Sequence, residues 1–385
     1  MARLGDICTL IRNGANIKQG GNDSGYPITR IETISNRIVD RTRMGYAGIT
    51  DIEKYKDYVL QNGDILMSHI NSEIHLGKTA LYEKADDETI IHGMNLLCLR
   101  PNTDIVLSKY AFYYLSSDSF LRQIPRITKK SVNQASFNVA ALKELQFPVV
   151  TMEQQQHIAA VLDKVSELID LRKQQLQKLD DLVKSRFIEL FGAINDDVPL
   201  SYYIASLNAG KSLAGEEECP NKVLKTGAAT YDYFDASQVK NLPLDYEPQE
   251  DHRVSAGDVI VSRMNTAELV GAAAYVWDVP ERVYLPDRLW RAEIKDTANP
   301  IFVWQVLIQS STKESIRRIA SGTSGSMKNI SKPGLLGIRV VKAPIELQKH
   351  FAAFIEQTDK SKLIVQQSLD KLETLKKSLM QEYFG

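Results

Sequence analysis

The amino-acid sequence contains a long stretch written twice. Residues 151–192, TMEQQQHIAAVLDKVSELIDLRKQQLQKLDDLVKSRFIELFG, return at an offset of 193 as residues 344–385. From Glu153 to Gly192 fifteen of forty positions are identical without a gap, among them Gln155/Gln348, Leu176/Leu369, Leu179/Leu372, Leu182/Leu375 and Phe191/Phe384. Composition alone would give roughly two or three. The apolar residues of the first copy, including Ile158, Leu162, Val165, Ile169, Leu176, Leu179, Leu182, Val183 and Phe187, recur at mixed spacings of three and four. That pattern predicts one long helix with a single buried stripe able to supercoil with a partner. Thr151 and Gln154 fit a capping box at its start, and Gly192 stands where a stop is expected. At about 1.5 Å per residue the rod would be roughly 60 Å long, longer than a typical domain is wide. Its partner is the second copy, so Val165, Leu176, Leu179 and Leu182 are expected to pack against Leu369, Leu372 and Leu375.

The repeat extends into the segments before each helix. GDILMSHINSEIHLG (63–77) aligns with GDVIVSRMNTAELVG (257–271), pairing Gly63, Asp64, Ser68, Asn71 and Gly77 with Gly257, Asp258, Ser262, Asn265 and Gly271. Each copy reads as a turn, a short apolar strand and a polar loop. More weakly, YPITRIETIS, with Arg30, resembles NKVLKTGAAT, with Lys225. Short strands mix with helical stretches at 110–124 and 300–319. The fold expected is an α+β unit of about 150 residues used twice, each unit followed by its helix: 1–150, 151–192, 193–343 and 344–385.

Apolar content of 43% and charged content of 25% suit an ordinary soluble protein, and the net charge of −1 announces no global nucleic-acid affinity. Any basic surface has to be local. Arg122, Arg126, Lys129 and Lys130 run without an acid into SVNQASFN, which contains Asn133 and Gln134. In the second half Lys313, Arg317, Arg318, Lys328 and Lys332 frame SGTSGSMKN, which ends at Asn329. A basic helix end followed by Ser, Asn, Gln and Lys suits phosphate anchoring beside base-edge hydrogen bonding. One such loop would be an ordinary solvated surface; its recurrence at the same place in both copies favours binding.

Catalytic patterns fail on inspection. NAGKS (208–212) lacks the first glycine of a phosphate-binding loop. NPIF (299–302) lacks the second proline of a methyltransferase tetrapeptide, and Pro300 more simply starts a helix. Asp287 and Glu293 are too close in sequence for two strands to meet at one metal, and a half-buried strand is expected there. The six histidines form no metal-spaced cluster, and Cys8, Cys98 and Cys219 fit inert thiols in a reducing cytoplasm. MARLGDICTLIRNG has charge where a signal peptide needs its apolar run, and no stretch would cross a membrane.

Two variable units, each closed by a helix that begins like EQQQHIAAVLDKV or ELQKHFAAFIEQT and ends in FG, resemble the specificity subunit of type I restriction–modification enzymes. The GDILMSHIN and GDVIVSRMN segments resemble a motif of that family's target recognition domains. The resemblance implies two target recognition domains separated by two helices forming an antiparallel coiled coil. Each domain would read one half of a split, asymmetric double-stranded DNA site. Methyltransferase and restriction/translocase subunits would bring S-adenosylmethionine, ATP and Mg, and this chain would hold no cofactor and do no chemistry. The DNA-binding residues expected are Arg30, Ser68, Asn71, Lys129, Lys130, Asn133 and Gln134 in the first half. Lys225, Ser262, Arg263, Asn265, Arg317, Arg318, Lys328 and Asn329 are their counterparts in the second. The rival classes are a stand-alone DNA methyltransferase or nuclease, which the failed catalytic patterns count against, and a coiled-coil scaffold that binds proteins alone, which does not explain the matched basic loops.

Overall fold

The computed structural model describes residues 1–18, 24–132, 134–322 and 327–385. It divides into two compact units, Met1–Gln174 with Gln366–Gly385, and Gln175–Val365. In the first, strands Cys8–Asn13, Leu96–Pro101, Ile65–Ser68 and Thr79–Leu81 form an antiparallel sheet in that order. In the second, Ile204–Asn208, Leu289–Ile294, Val259–Ser262 and Ala273–Tyr275 form a sheet of the same order and sense. The sequence repeat is therefore a repeat of topology.

Both faces of each sheet are covered. Side chains alternate across a strand, so Ile65 and Met67 join the helix-side core with Tyr110, Tyr113 and Phe120, while Leu66 joins Leu60, Tyr82 and Ile90 on the other side. Val259 and Val261 likewise face Trp304 and Phe302, with Ile260 among Leu224 and Val283. This accounts for the unbroken apolar text of ILM and VIV in the repeated motif.

The motif's glycines and aspartates are structural. Gly77 and Gly271 have φ of +73° and +78°, and a Cβ there would come within 3.1 Å of Leu121 Cδ2 and 2.4 Å of Ile316 Cγ2 respectively. Asp64 is fully buried; it accepts Arg100 Nε and Nη2 at 2.7 and 2.8 Å and the Gln61 N–H at 2.7 Å. Asp258 accepts the Ser255 N–H at 2.9 Å, but its arginine, Arg291, stands 3.9 Å away and turns its Nε to Glu293.

The helical stretches at 110–124 and 300–319 are each broken. The first is Ser108–Leu115, Asp118–Leu121 and Ile124–Ile127, restarted where Ser117 Oγ accepts the Phe120 N–H. The second is Pro300–Ile308 and Ser310–Ile319, separated by Gln309 with ψ of 142°. Asn299 caps the Pro300 helix through the Ile301 and Phe302 N–H groups, and Leu289–Ile294 is the strand expected around Glu293.

The long helices run Met152–Phe191 and Ile345–Phe384, 40 residues each. Thr151 and Gln154 form the capping box in both directions, at 3.2 and 3.3 Å. In the first unit the helices run antiparallel: Arg172 Nε donates to Ser368 Oγ at 3.1 Å, and Lys173 pairs with Glu373 at 3.2 Å. In the second, Lys362 pairs with Asp180, and Phe351 packs on Phe187 and Phe191.

Part of the expected stripe lies elsewhere. Val165 and Leu369 are buried, and Leu176, Leu179 and Leu372 are half-buried, but Leu182 and Leu375 are 49% and 46% exposed. The seam steps by three and four through Val165, Ile169, Arg172, Leu176, Leu179 and Val183, so Val183 takes the inward place beside Leu182. On the second helix Lys376 takes the equivalent place. Its ammonium lies 6.0 Å from the Tyr113 ring, and burial pulls its pKa below the usual lysine value.

A feature that sequence reasoning passed over docks each helix. Gln155 and Gln348 are both 1% exposed. Gln155 accepts the Leu107 N–H and donates to the carbonyls of Ile105 and Val150. Gln348 accepts the Asn299 N–H and donates to the Ala343 carbonyl. Their identity in the repeat was the available signal.

Two histidines in the first unit, His69 and His92, are pulled by burial from the ordinary 6.5 to about 4, the Leu96 carbonyl at 3.0 Å partly opposing the effect for His92. Both are neutral when folded and take up protons when unfolded, so this unit should lose stability as pH falls from 6.5 toward 4. Urea midpoints across that window check it; His92→Gln should flatten the fall, and an unchanged slope would remove His92 as its source.

Candidate nucleic-acid interface

The structure joins the two segments that sequence reasoning singled out separately in each half. After the buried Ile65–Ser68 strand the chain continues as Ile70–Asn71, which pairs with Ala135–Ser136; that strand in turn pairs with Lys129–Lys130. The motif loop and the basic loop are thus strands of one small sheet. In the second unit Met264–Asn265 pairs with Lys328–Asn329, placing Asn265 opposite Lys328. The same juxtaposition arises twice from segments some sixty residues apart in sequence.

The first unit offers Lys129 and Lys130, both exposed, at the base of a hairpin closed by the Ser131 N–H to the Gln134 carbonyl at 2.8 Å. Gln134 is exposed at its tip, and Asn133 lies outside the described residues. Lys130 also pairs with Glu73 at 2.9 Å, both partners exposed, an ion pair easily exchanged for a phosphate. Asn71 is half-buried; its Oδ1 accepts the Ser72 N–H, and its Nδ2 lies 3.4 Å from Ser68 Oγ. Arg30 is half-buried beside Ile17, Lys18, Glu32 and Asn95, apart from the hairpin residues in sequence and lining a separate cleft.

The second unit offers Arg317 and Arg318, exposed at the end of the Ser310–Ile319 helix. Arg317 and Lys328 line one cleft with Glu268 and Ala320. Arg263 donates to Asn329 Oδ1 at 3.3 Å and lies 5.8 Å from the Trp290 ring, so both are held half-buried beneath the surface. Lys225 is exposed and begins the one-turn helix Thr226–Ala229. Lys328 Nζ donates to the Gly322 carbonyl at 2.8 Å.

Ser68 and Ser262 do not belong to this surface. They are 2% and 0% exposed because the strands that carry them are covered on both faces. Each hydroxyl sits at the foot of the motif loop, where Gly77 and Gly271 donate N–H groups to the Ser68 and Ser262 carbonyls.

The arrangement can hold anions and offer polar side chains to the edges of a partner. Among the described residues no group of three His, Cys, Asp or Glu side chains could hold a metal ion, and no helix is long and apolar enough to cross a membrane. Burial pushes the Cys8 thiol up to about 12, which leaves it unreactive at neutral pH.

Residues 1–181 match the family model of the type I restriction modification DNA specificity domain. The chain is 43% identical over 188 residues to the MjaX type I restriction enzyme specificity subunit of Methanocaldococcus jannaschii, a match spanning 49% of this chain and 44% of that relative. The MjaVIII specificity subunit of the same organism is 24% identical over 414 residues, covering 99% of this chain and 90% of the relative. The fold is similar to the crystal structure of a type I restriction–modification S subunit from M. genitalium, at a TM-score of 0.62 and 14% identity, covering 100% of this chain and 95% of the other.

Proposed function

We propose that this chain is the DNA sequence-recognition subunit of a type I restriction–modification enzyme. Each unit reads one part of a bipartite, asymmetric double-stranded site as a target recognition domain. The two long helices act as an antiparallel coiled-coil spacer that sets the distance between the half-sites. The observation that carries this reading is that in each unit the motif strand joins a small sheet with basic loop residues: Ile70–Asn71 through Ala135–Ser136 to Lys129–Lys130, and Met264–Asn265 directly to Lys328–Asn329. Two similar scaffolds with different polar side chains suit two different half-sites.

In this reading the chain performs no chemistry and carries no cofactor. Methyltransferase subunits bring S-adenosylmethionine and flip the target base; restriction/translocase subunits bring ATP and Mg. Both long helices expose large aliphatic side chains for such docking. Leu171 and Leu375 lie 47% and 46% exposed in the first unit, and Leu182, Ile188, Leu363 and Ile364 49%, 67%, 59% and 68% in the second. Changing Leu182 and Leu375 together to Asp should leave the free chain folded, because neither is buried. Association with the methyltransferase subunit should weaken by about tenfold or more, which titration calorimetry would read. Unaltered affinity would move docking off these residues.

The central test is methylation mapping of DNA from cells carrying this chain with its methyltransferase partner. A split, asymmetric motif is expected; random or absent methylation by an assembled complex would overturn the reading. Within it, Lys129→Ala with Lys130→Ala should weaken DNA binding at all sequences. The slope of log affinity against log salt should fall by about 0.9 for each phosphate that the variant no longer neutralises. An unchanged slope would remove this hairpin from the DNA surface.

A further inference from the structure

One turn recurs in both units with a feature no repeated sequence motif announces. Three residues beyond the one-turn helices Ile31–Ile34 and Thr226–Ala229 stand Arg37 and Asp232, both left-handed, with φ of 60° and 64°. Such a conformation persists in a non-glycine residue where its surroundings hold it. Asp232 is held on two sides: its carboxylate pairs with Lys313 and accepts the Ala273 N–H at 3.2 Å. The nearby Thr230 is buried; its hydroxyl donates to the Thr226 carbonyl, and Asn265 Nδ2 lies 3.4 Å from it.

The first unit makes the same turn without that ion pair. Ile124 and Ile316 are equivalent, each packed over the loop glycine of its unit, Gly77 or Gly271. Counted from them, Leu121 stands where Lys313 stands. Arg37, at the left-handed position, is half-buried instead, and it lines one groove with Asp118, whose charge opposes the effect of burial on the guanidinium.

What the turn presents is the pair of side chains on either side of its left-handed residue. In the second unit these are Tyr231 and Tyr233, 68% and 57% exposed, their rings 6.4 Å apart and inclined by 19°. In the first they are Asn36, exposed, and Ile38, 59% exposed. A pair of exposed tyrosines contributes little to a core, yet the backbone beneath it is fixed at four points. Lys225 stands one short helix upstream, and Asn265, which contacts Thr230, pairs with the Lys328 strand.

We propose that the Thr230–Tyr233 turn is a DNA-reading finger of the second unit, with Tyr231 and Tyr233 supplying stacking faces and hydroxyls to one half-site, and that Asn36 and Ile38 form the tip of its counterpart in the first. This rests on the recognition function proposed above. An aromatic face accepts any base or sugar, and a phenol hydroxyl adds a directional hydrogen bond. A common turn with unlike tips allows two related units to read unlike sequences. The neighbouring lysines favour nucleic acid over a protein partner.

The test compares the wild-type complex with its methyltransferase subunit against a complex bearing Tyr231→Ala and Tyr233→Ala, by methylation mapping and by binding to DNA varied at each half-site. Preference at one or more positions of the second half-site should fall by roughly tenfold, with the first half-site and subunit assembly unchanged. Retained preference at both half-sites would overturn the finger, and so would weakened assembly with intact preference, which would make the turn a protein-docking element. A wild-type complex that recognises no bipartite site would instead remove the underlying function, before any variant is compared. The brace is tested separately: Asp232→Lys should reproduce the loss, and adding Lys313→Asp should restore the preference. Failure of that exchange to restore it, in a folded chain, would show that the ion pair does not position the tip.

Discussion

Replacing Asp64 with Ala should destabilise the first unit by roughly 3–5 kcal/mol, the cost of leaving one half of a buried ion pair without its partner. Asp64 is fully buried and satisfies both arms of Arg100 as well as the Gln61 N–H, while the Arg100 side chain keeps 24% of its surface. Truncation therefore strips a guanidinium of its partner and unlocks the turn that starts the central strand. The equivalent change, Asp258→Ala, should cost much less, about 1 kcal/mol. There the arginine is 3.9 Å away, both side chains keep nearly a fifth of their surface, and Arg291 retains Glu293. Urea unfolding of the two variants beside the wild type measures the contrast. Equal losses at the two sites would mean that the turn, and not the ion pair, carries the stability.

The duplication was legible in the sequence because long helices keep their pattern over many turns, and a shared offset needs no knowledge of packing. The α+β character of each unit and the Thr151 cap could be read for the same reason: both depend on local spacing. What misled was depth. ILMS and VIVS differ little from a half-exposed strand in residue type, so Ser68 and Ser262 read as loop polar groups although both faces of their sheet are covered. Leu182 and Leu375 are identical between the copies, but a seam that steps by three and four passes through Val183 and Lys376 instead. Identity there marks an exposed position, and packing could not be inferred from it. The left-handed turn at Arg37 and Asp232 was invisible for another reason. The two residues differ in charge, so residue-by-residue identity discards them, and only the backbone shows that they make the same turn.

Truncating Phe384 to Ala should loosen the end of the second long helix from the first unit while leaving the second unit intact. Phe384 is 6% exposed, with its ring 5.5 Å from Tyr110 and 5.7 Å from Tyr114 in the core that also contains Phe147. Losing a buried aromatic side chain of this kind costs roughly 3–5 kcal/mol. The segment Gln366–Gly385 joins the first unit from the far end of the sequence, so no short loop holds it there. Phe191 plays the matching part in the second unit, 5.1 Å from Phe302 and 5.4 Å from Phe351, and stays in place in this variant. Hydrogen exchange separates the two units: amides of residues 366–384 and of the Ser108–Leu115 helix should exchange faster, those of residues 345–365 at the wild-type rate. Phe191→Ala should give the opposite pattern, with the second unit loosened. If the helical segment at 366–384 keeps its protection without Phe384, the helix is anchored through Leu369 and the Arg172–Ser368 hydrogen bond, and its terminal aromatic does not hold it. If it loses protection as expected, the function proposed above adds that the half-site assigned to the first unit should lose its methylation preference before the other.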